Sequence, residues 1–582
     1  MYPGDDKVDK PAFDYSGKDE VWFDYISDTG DGWNPTYSIA CLVGQETLKV
    51  LPAVDGGDLL PLPRGEFTIL GGDQVYPVAS AELYRERLED PFYCARATSE
   101  DAADRTPVYA LPGNHDWYDG LTSFIRLFCQ KDRWVGQWRA TQTRSYFAIQ
   151  LPHRWWIWGL DVQLESNVDP AQARYFRHHA RFLQPGDRVI LVTPEPSWIE
   201  AGRTAEEKST SQAYRNMLVL EKCITDRDAT IPVRIAGDLH HYARYQGQDG
   251  MSQLITCGGG AFLHGTFGLP WKLNLQTSTG QQFDRVAAVP TPEQSEKLCG
   301  SVFWKLLWRN PWFAVAVGAV YWTYGWFLQS ASEALNTLEW NENKPASTLF
   351  AYLRVDHCIS WKPWALPVID LQNFYSQRTP CSKVFWAWGD IALHDPLVFL
   401  FSAVIIIGCL VFAVRSRRAG KSPWIAGGVG VLHAIAHIAL ALVLIKTAAF
   451  YIPWDWVVHP AVLLGGIPGS LLVAAYLWLA HRAIRAHDQE VLSTQGIEDY
   501  KCFARFHVTK DALTIYPIGL VKVCRRWIVA KTVADAFKPI TKLCPLPRWR
   551  REYKLKVPAG TKCIFEPAEP LTPRLTEPPV VL

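Results

Sequence analysis

Between residues 311 and 480, four stretches (311–329, 396–414, 423–445 and 460–480) run without a single Asp, Glu, Lys or Arg. Each is about the 20 apolar residues long that a helix needs to cross the hydrocarbon core of a bilayer. Buried helices of soluble domains rarely stay uncharged for so long, so four spans are expected within a helical domain at 300–485. The basic loop RSRRAGK (415–421) marks the connection between the second and third spans as cytoplasmic, and Lys305, Arg309, Arg482 and Arg485 agree with it. Four crossings then place both termini in the cytoplasm and a loop at 331–395, which holds Cys358 and Cys381, outside. Trp304, Trp308, Trp312, Trp322 and Trp326 read as an interfacial belt. His433 and His437 share one face of the third span and are expected to hydrogen-bond between helices.

The remainder of the 582 residues has a different texture. Residues 1–20 are polar and acidic with no apolar leader, and a net charge of +1 creates no global field to draw nucleic acid. The thirteen cysteines lack CxxC spacing and suit a reducing compartment, as small buried side chains. Short apolar runs at 21–27, 65–71, 107–112, 154–160, 188–193, 231–236 and 253–257 read as strands buried on both faces. Helical stretches at 80–89, 120–131, 170–183 and 211–226 lie between several of them. That alternation predicts an α/β domain at 21–290. At 490–582 a tail begins with CFARFHV, a polar turn and LTIYPIGL, which alternate as a hairpin does. Isolated hairpins are marginal in water, so this one is expected to dock on the α/β domain.

Five polar motifs follow predicted strands: Ser27-Asp28-Thr29-Gly30-Asp31, Gly72-Asp73-Gln74-Val75-Tyr76, Gly113-Asn114-His115-Asp116, Val192-Thr193-Pro194-Glu195 and Gly237-Asp238-Leu239-His240. In α/β sheets ligands bind at such strand ends. Carboxylates, an amide and imidazoles converging there suit a two-metal site, in which one carboxylate bridges two cations.

In this order the motifs resemble the calcineurin-like metallophosphoesterase superfamily, over about residues 20–265. GDxxY (72–76) and GDLHHYAR (237–244) are most similar to the purple acid phosphatase branch. The resemblance implies a four-layer αββα sandwich and a phosphomonoester or phosphodiester hydrolase in which hydroxide bridging two metals attacks phosphorus. It implies that Asp28 binds one metal, Asp73 bridges both, Asn114 binds the second and His240 completes the first. Tyr76 matches the phenolate ligand of the purple acid branch, with a packed aromatic as the alternative. His115 would contact phosphate and protonate the leaving group, oriented by Asp116. His241, Arg244 and His264 are candidates for binding substrate phosphate.

Three positions depart from the pattern. Gly30 stands where the family has a His, with Asp31 beside it as a substitute ligand; Glu195 and Asp238 replace two further imidazoles. Carboxylate ligands favour Mn²⁺, Mg²⁺ or Fe over Zn²⁺, although Glu195 and Asp238 could equally act by hydrogen bonding. The expected partners are a phosphoester substrate, lipid-borne in keeping with the spans, and membrane lipids. Two other readings stay open: a non-catalytic phosphate-binding membrane sensor, and a transporter with a regulatory phosphoesterase-like domain.

Overall fold

The computed structural model describes residues 11–582 apart from 55, 97–105, 165–166, 203–211, 276–280, 342–358, 361–367, 370–387, 390–391, 393–394, 417–421, 453–455, 457 and 537–560. The chain divides into two compact units. One combines Met1–Ser295 with Ile497–Leu582, and the other is Glu296–Gly496. Most of the expected external loop, including Cys358 and Cys381, and most of RSRRAGK lie outside the described residues.

The first unit is mixed α/β. Its principal strands are β1 (Val21–Ile26), β2 (Phe67–Leu70), β3 (Thr106–Ala110), β4 (Phe147–Gln150), β5 (Trp155–Gly159), β6 (Arg188–Thr193), β7 (Thr230–Ala236), β8 (Tyr242–Gly247), β9 (Gln253–Thr256), β10 (Gln281–Val289), β11 (Lys501–Val508) and β12 (Leu513–Leu520). All seven apolar runs form strands. Residues 242–247, YARYQG, form one as well, although their polarity gives no such sign.

Two nine-stranded sheets result. In one, the order at the centre is β12-β11-β1-β2-β3; in the other it is β4-β5-β6-β7-β9-β8-β10. β1, β2 and β3 run parallel, as do β5, β6, β7 and β9. Their C-terminal ends are therefore aligned within each sheet. One hydrophobic core contains Phe23, Tyr25, Ile69 and Phe506 from the first sheet with Ile157, Ile190, Val233 and Ile255 from the second. A second core joins Ile26 and Leu70 to helix Trp33–Val43, and a third joins Trp156 and Leu191 to helices Pro170–His179 and Gln212–Thr225. Alternate residues along one strand thus serve different cores, as the two-residue period of a strand requires. Helix Pro170–His179 starts at an Asp169 side chain that accepts from the backbone N–H of Ala171 and Gln172.

β11 pairs antiparallel with β1 from Ala504↔Tyr25 to Val508↔Val21, and with β12 along its whole length. Between β11 and β1, fully buried Arg505 donates from Nε to Asp24 Oδ1 at 2.7 Å and from a terminal nitrogen to Oδ2 at 3.0 Å.

Among the described residues the second unit has four long helices, α1 (Pro311–Asn341), α2 (Pro396–Arg415), α3 (Pro423–Tyr451) and α4 (Pro460–Ile484). Among the described residues three segments are long and apolar enough to cross a membrane: Pro396–Arg415, Pro423–Ala448 and Leu464–Ile484. The expected span at 311–329 falls within α1, whose Trp and Tyr side chains dilute its apolar character and leave it outside that group. His437 joins Tyr321 Oη (2.6 Å), which links α3 to α1, and it also lies 2.9 Å from His433 Nε2 on its own helix.

Candidate metal centre

The site is built at strand C-termini. β1 leads into Asp28, β2 into Asp73, β3 into Asn114 and His115, β6 into Glu195, and β7 into Asp238 and His240. Asp28, Asp73, Asp238 and His240 all have left-handed backbones, with φ of 53°, 52°, 70° and 50°. This region is uncommon for residues with a Cβ, and such conformations cluster at functional sites. Two glycines make room: a Cβ on Gly113 would lie 2.1 Å from Asp73 Oδ1, and one on Gly258 would lie 2.5 Å from Asp28 Oδ2.

Asp28, Asp73 and His240 bring three ligand atoms within 4.8 Å of one another, and all three side chains are buried. Tyr76 adds a fourth, its hydroxyl 3.2 Å from Asp73 Oδ2 and 2.8 Å from His240 Nε2. His240 Nδ1 lies 2.8 Å from the carbonyl of Phe262, an acceptor, so Nδ1 carries the proton and Nε2 faces the cluster with its lone pair. The end of the Asn114 amide that faces Asp73 lies 2.9 and 3.2 Å from the two carboxylate oxygens. Turned nitrogen-inward it donates to them; turned oxygen-inward it adds another acceptor, an arrangement stabilised by a cation.

Electrostatics agree with the geometry. Burial, then the neighbouring Asp73 charge, pushes the Asp28 carboxyl well above the usual range, and burial raises Asp73 to about 6. Burial, then His264 and Lys501, pushes His240 well down, which keeps it neutral. Two adjacent buried carboxylates and a neutral imidazole fit a cation: metal ligands are deprotonated, and carboxylates out of water need a counter-charge.

The other candidates divide. His115 Nδ1 lies 2.7 Å from the Pro77 carbonyl, and its ring sits 4.2 Å from that of Tyr76. Asp238 donates its backbone N–H to Asp28 Oδ1 at 2.8 Å, and its carboxyl is raised to about 7 by burial and then by Asp73. Glu195 holds the turn after β6, its carbonyl accepting from Ser197 N–H and Thr193 Oγ1. Neither Asp238 nor Glu195 belongs to the group of mutually close ligand atoms. Asp31 lies outside it too; its Oδ2 accepts from the Phe262 N–H at 3.1 Å. The His264 ring stacks on that of His240 at 4.2 Å.

Three candidates have other partners in the structure. The buried Asp116 carboxylate accepts from the N–H groups of Gly113 and Gln74 and from the Tyr84 hydroxyl, tying the β2 and β3 loops together. Glu577 holds Arg244 through Nε at 2.8 Å and a terminal nitrogen at 2.6 Å, and Gln253 takes another N–H. His241 is only 1% exposed and sits beneath the His264 carbonyl, where burial lowers it to about 3. The carbonyl of Phe262 and the ammonium of Lys501 escape the motifs altogether. Nothing at 262 or 501 marks them in sequence, since each acts through backbone atoms of the loop after β9.

No family model matches the chain, and no curated protein does. Among solved structures it is similar to GAP50, the anchor in the inner membrane complex of Plasmodium, at 14% identity and a TM-score of 0.30, covering 46% of this chain and 78% of that one. It is similar to purple acid phosphatase PPD1 from yellow lupin (Lupinus luteus) seeds, at 11% identity and a TM-score of 0.28, over 47% of this chain and 50% of the other. It is similar to PhoD at 11% identity and a TM-score of 0.24, over 43% and 60%. Likenesses of this size leave the function to be argued from the site.

Proposed function

We propose that the first unit is a metal-dependent phosphoester hydrolase carried on a membrane by the second. The observation that carries this reading is the meeting of Asp28, Asp73, His240 and the Tyr76 hydroxyl with an Asn114 amide against Asp73. Asp28, His240 and Tyr76 would hold one cation, Asn114 a second, and Asp73 would serve both. A set dominated by oxygen favours Mn²⁺, Mg²⁺ or Fe over Zn²⁺. When bound, such a metal pair supplies Lewis-acid polarisation of the phosphoryl group and a water acidic enough to attack near neutral pH.

The chain's own residues supply the rest. The Pro77 carbonyl fixes His115 Nδ1–H, which leaves Nε2 to deliver a proton to the leaving oxygen. The Phe262 carbonyl fixes His240 in the same way, with its lone pair towards the cluster.

The proposal extends to topology. β1 precedes the helical unit, β11 follows it, and the two are paired in one sheet. A hydrogen-bonded sheet cannot straddle a bilayer, so the intervening chain crosses an even number of times. With three strongly apolar helices present, α1 is the fourth crossing in this reading. The α/β unit and both termini then face the cytoplasm, and the membrane setting favours a lipid-borne phosphoester.

The test is metal analysis of the purified chain with a panel of phosphomonoesters and phosphodiesters. Asp73→Asn and His240→Ala should lose metal and turnover together. Protein that takes up neither Mn²⁺, Fe nor Zn²⁺ and hydrolyses nothing in the panel would refute the reading.

A further inference from the structure

The loop after β9, residues 258–264, carries two groups that act on the candidate metal centre. The Phe262 carbonyl takes the His240 Nδ1–H, and the His264 ring stacks on the His240 ring. On its inner side this loop is held by residue 27–28 carbonyls: Gly259 N–H donates to Ser27 O at 2.7 Å, and Gly260 and Ala261 N–H donate to Asp28 O at 2.8 and 2.6 Å. Its other side is held by chain that returns after the helical unit. Leu263 N–H donates to the Ile497 carbonyl at 2.9 Å, and Cys502 N–H donates to the Gly258 carbonyl at 3.2 Å. The Lys501 ammonium donates to the Ala261 carbonyl.

Lys501 is 1% exposed, a costly place for an ammonium. Burial lowers it to about 8, and Asp31 is the largest influence in the other direction. Asp31 in turn accepts from the Phe262 N–H. Lys501 and Asp31 therefore grip the two faces of one peptide segment, Ala261 through its carbonyl and Phe262 through its N–H. The next atom along, the Phe262 carbonyl, sets the tautomer of His240.

We infer that Lys501, with Asp31, is a positioning pair for the metal centre: the C-terminal return strand supplies the charge that fixes the 261–262 peptide and, through it, His240. This rests on the proposed metal-dependent reading. It gives Asp31 a role other than ligand, and it makes the metal affinity of the N-terminal motifs depend on a residue more than 200 positions further along the chain.

The experiment is Mn²⁺ titration of the full-length chain in detergent, with thermal unfolding of the metal-free protein measured alongside. Groups that orient a metal-ligating imidazole are worth about 10–100-fold in affinity, so Lys501→Met should weaken Mn²⁺ binding by about that factor. Asp31→Asn keeps the lysine and the shape of the site and should weaken binding by a smaller factor; it decides the matter if Lys501→Met fails to fold. A lysine that served stability alone would lower the unfolding temperature of the metal-free protein and leave Mn²⁺ affinity unchanged. A folded variant of either kind with wild-type affinity overturns the inference. Wild-type protein that binds no Mn²⁺, and is indistinguishable from His240→Ala, refutes the metal centre itself instead.

Discussion

Arg505→Met tests whether the returning strand holds the α/β unit together. Arg505 and Asp24 are both fully buried, joined by two hydrogen bonds of 2.7 and 3.0 Å, and Arg505 also donates to the Leu62 carbonyl at 3.0 Å. Methionine fills much of the same volume but leaves the Asp24 carboxylate buried and uncompensated. Removing one partner of a buried pair costs about 3–5 kcal/mol. For a unit of about 380 residues, the usual unfolding entropy of ~2.1 cal/mol/K per residue gives ~0.8 kcal/mol/K. The unfolding temperature should therefore drop by roughly 4–6 °C. Differential scanning fluorimetry of the full chain in detergent can read this from its tryptophans. The double variant Arg505→Met with Asp24→Leu removes the orphaned charge and should recover most of the loss. A drop below about 1 °C for the single variant, or no recovery in the double, would refute the reasoning.

Three further outcomes follow from the site. His115→Ala should lower phosphoester turnover about 10²–10⁴-fold while metal content stays at the wild-type level; loss of metal would make it a ligand. Gly113→Ala would place a methyl 2.1 Å from Asp73 Oδ1 and should abolish metal uptake, measured by elemental analysis, with far-UV circular dichroism unchanged. Asp161 is raised by burial to about 7, against about 3.9 for a free aspartate. Its folded form thus holds the proton more tightly, so it costs nothing below pH 4 and destabilises the fold progressively as pH rises towards 7. Asp161→Asn should come nearest to wild type in unfolding temperature near pH 3 and exceed it at pH 8; parallel curves would contradict this.

The strands were legible wherever both faces are buried. Trp155–Gly159 is five buried apolar positions in a row, and such a run has few other uses. Tyr242–Gly247 escaped because its arginine and glutamine break the apolar run, and its burial comes from neighbouring strands on either side. Within the site, Asp28, Asp73 and His240 could be named because each follows a strand. Arg244 could not be read correctly, since its partner Glu577 lies 333 residues away. His241 shared a motif with His240, but in the turn after β7 adjacent side chains diverge, one towards Asp28 and Asp73 and one towards the His264 carbonyl. The hairpin at 501–520 was readable from alternation, whereas the identity of the strand it joins was not: register across more than 470 residues leaves no local trace.

The discontinuous first unit also sets an order of manufacture. When the ribosome has completed Ser295, β1 still lacks β11 and is an open sheet edge with unpaired N–H and C=O groups, the kind that templates aggregation. The Asp24 carboxylate has no guanidinium, and the loop over His240 has no outer support. About 200 more residues, those of the helical unit, must be made before β11 arrives, an interval of roughly 10–40 s at ordinary rates of synthesis. Only when β11 has come back to β1 is the sheet complete. Closure of the sheet is therefore the last step in building this unit: a chain in which β11 has not returned exposes an unfinished edge and leaves the Asp28, Asp73 and His240 cluster without the outer support of its loop.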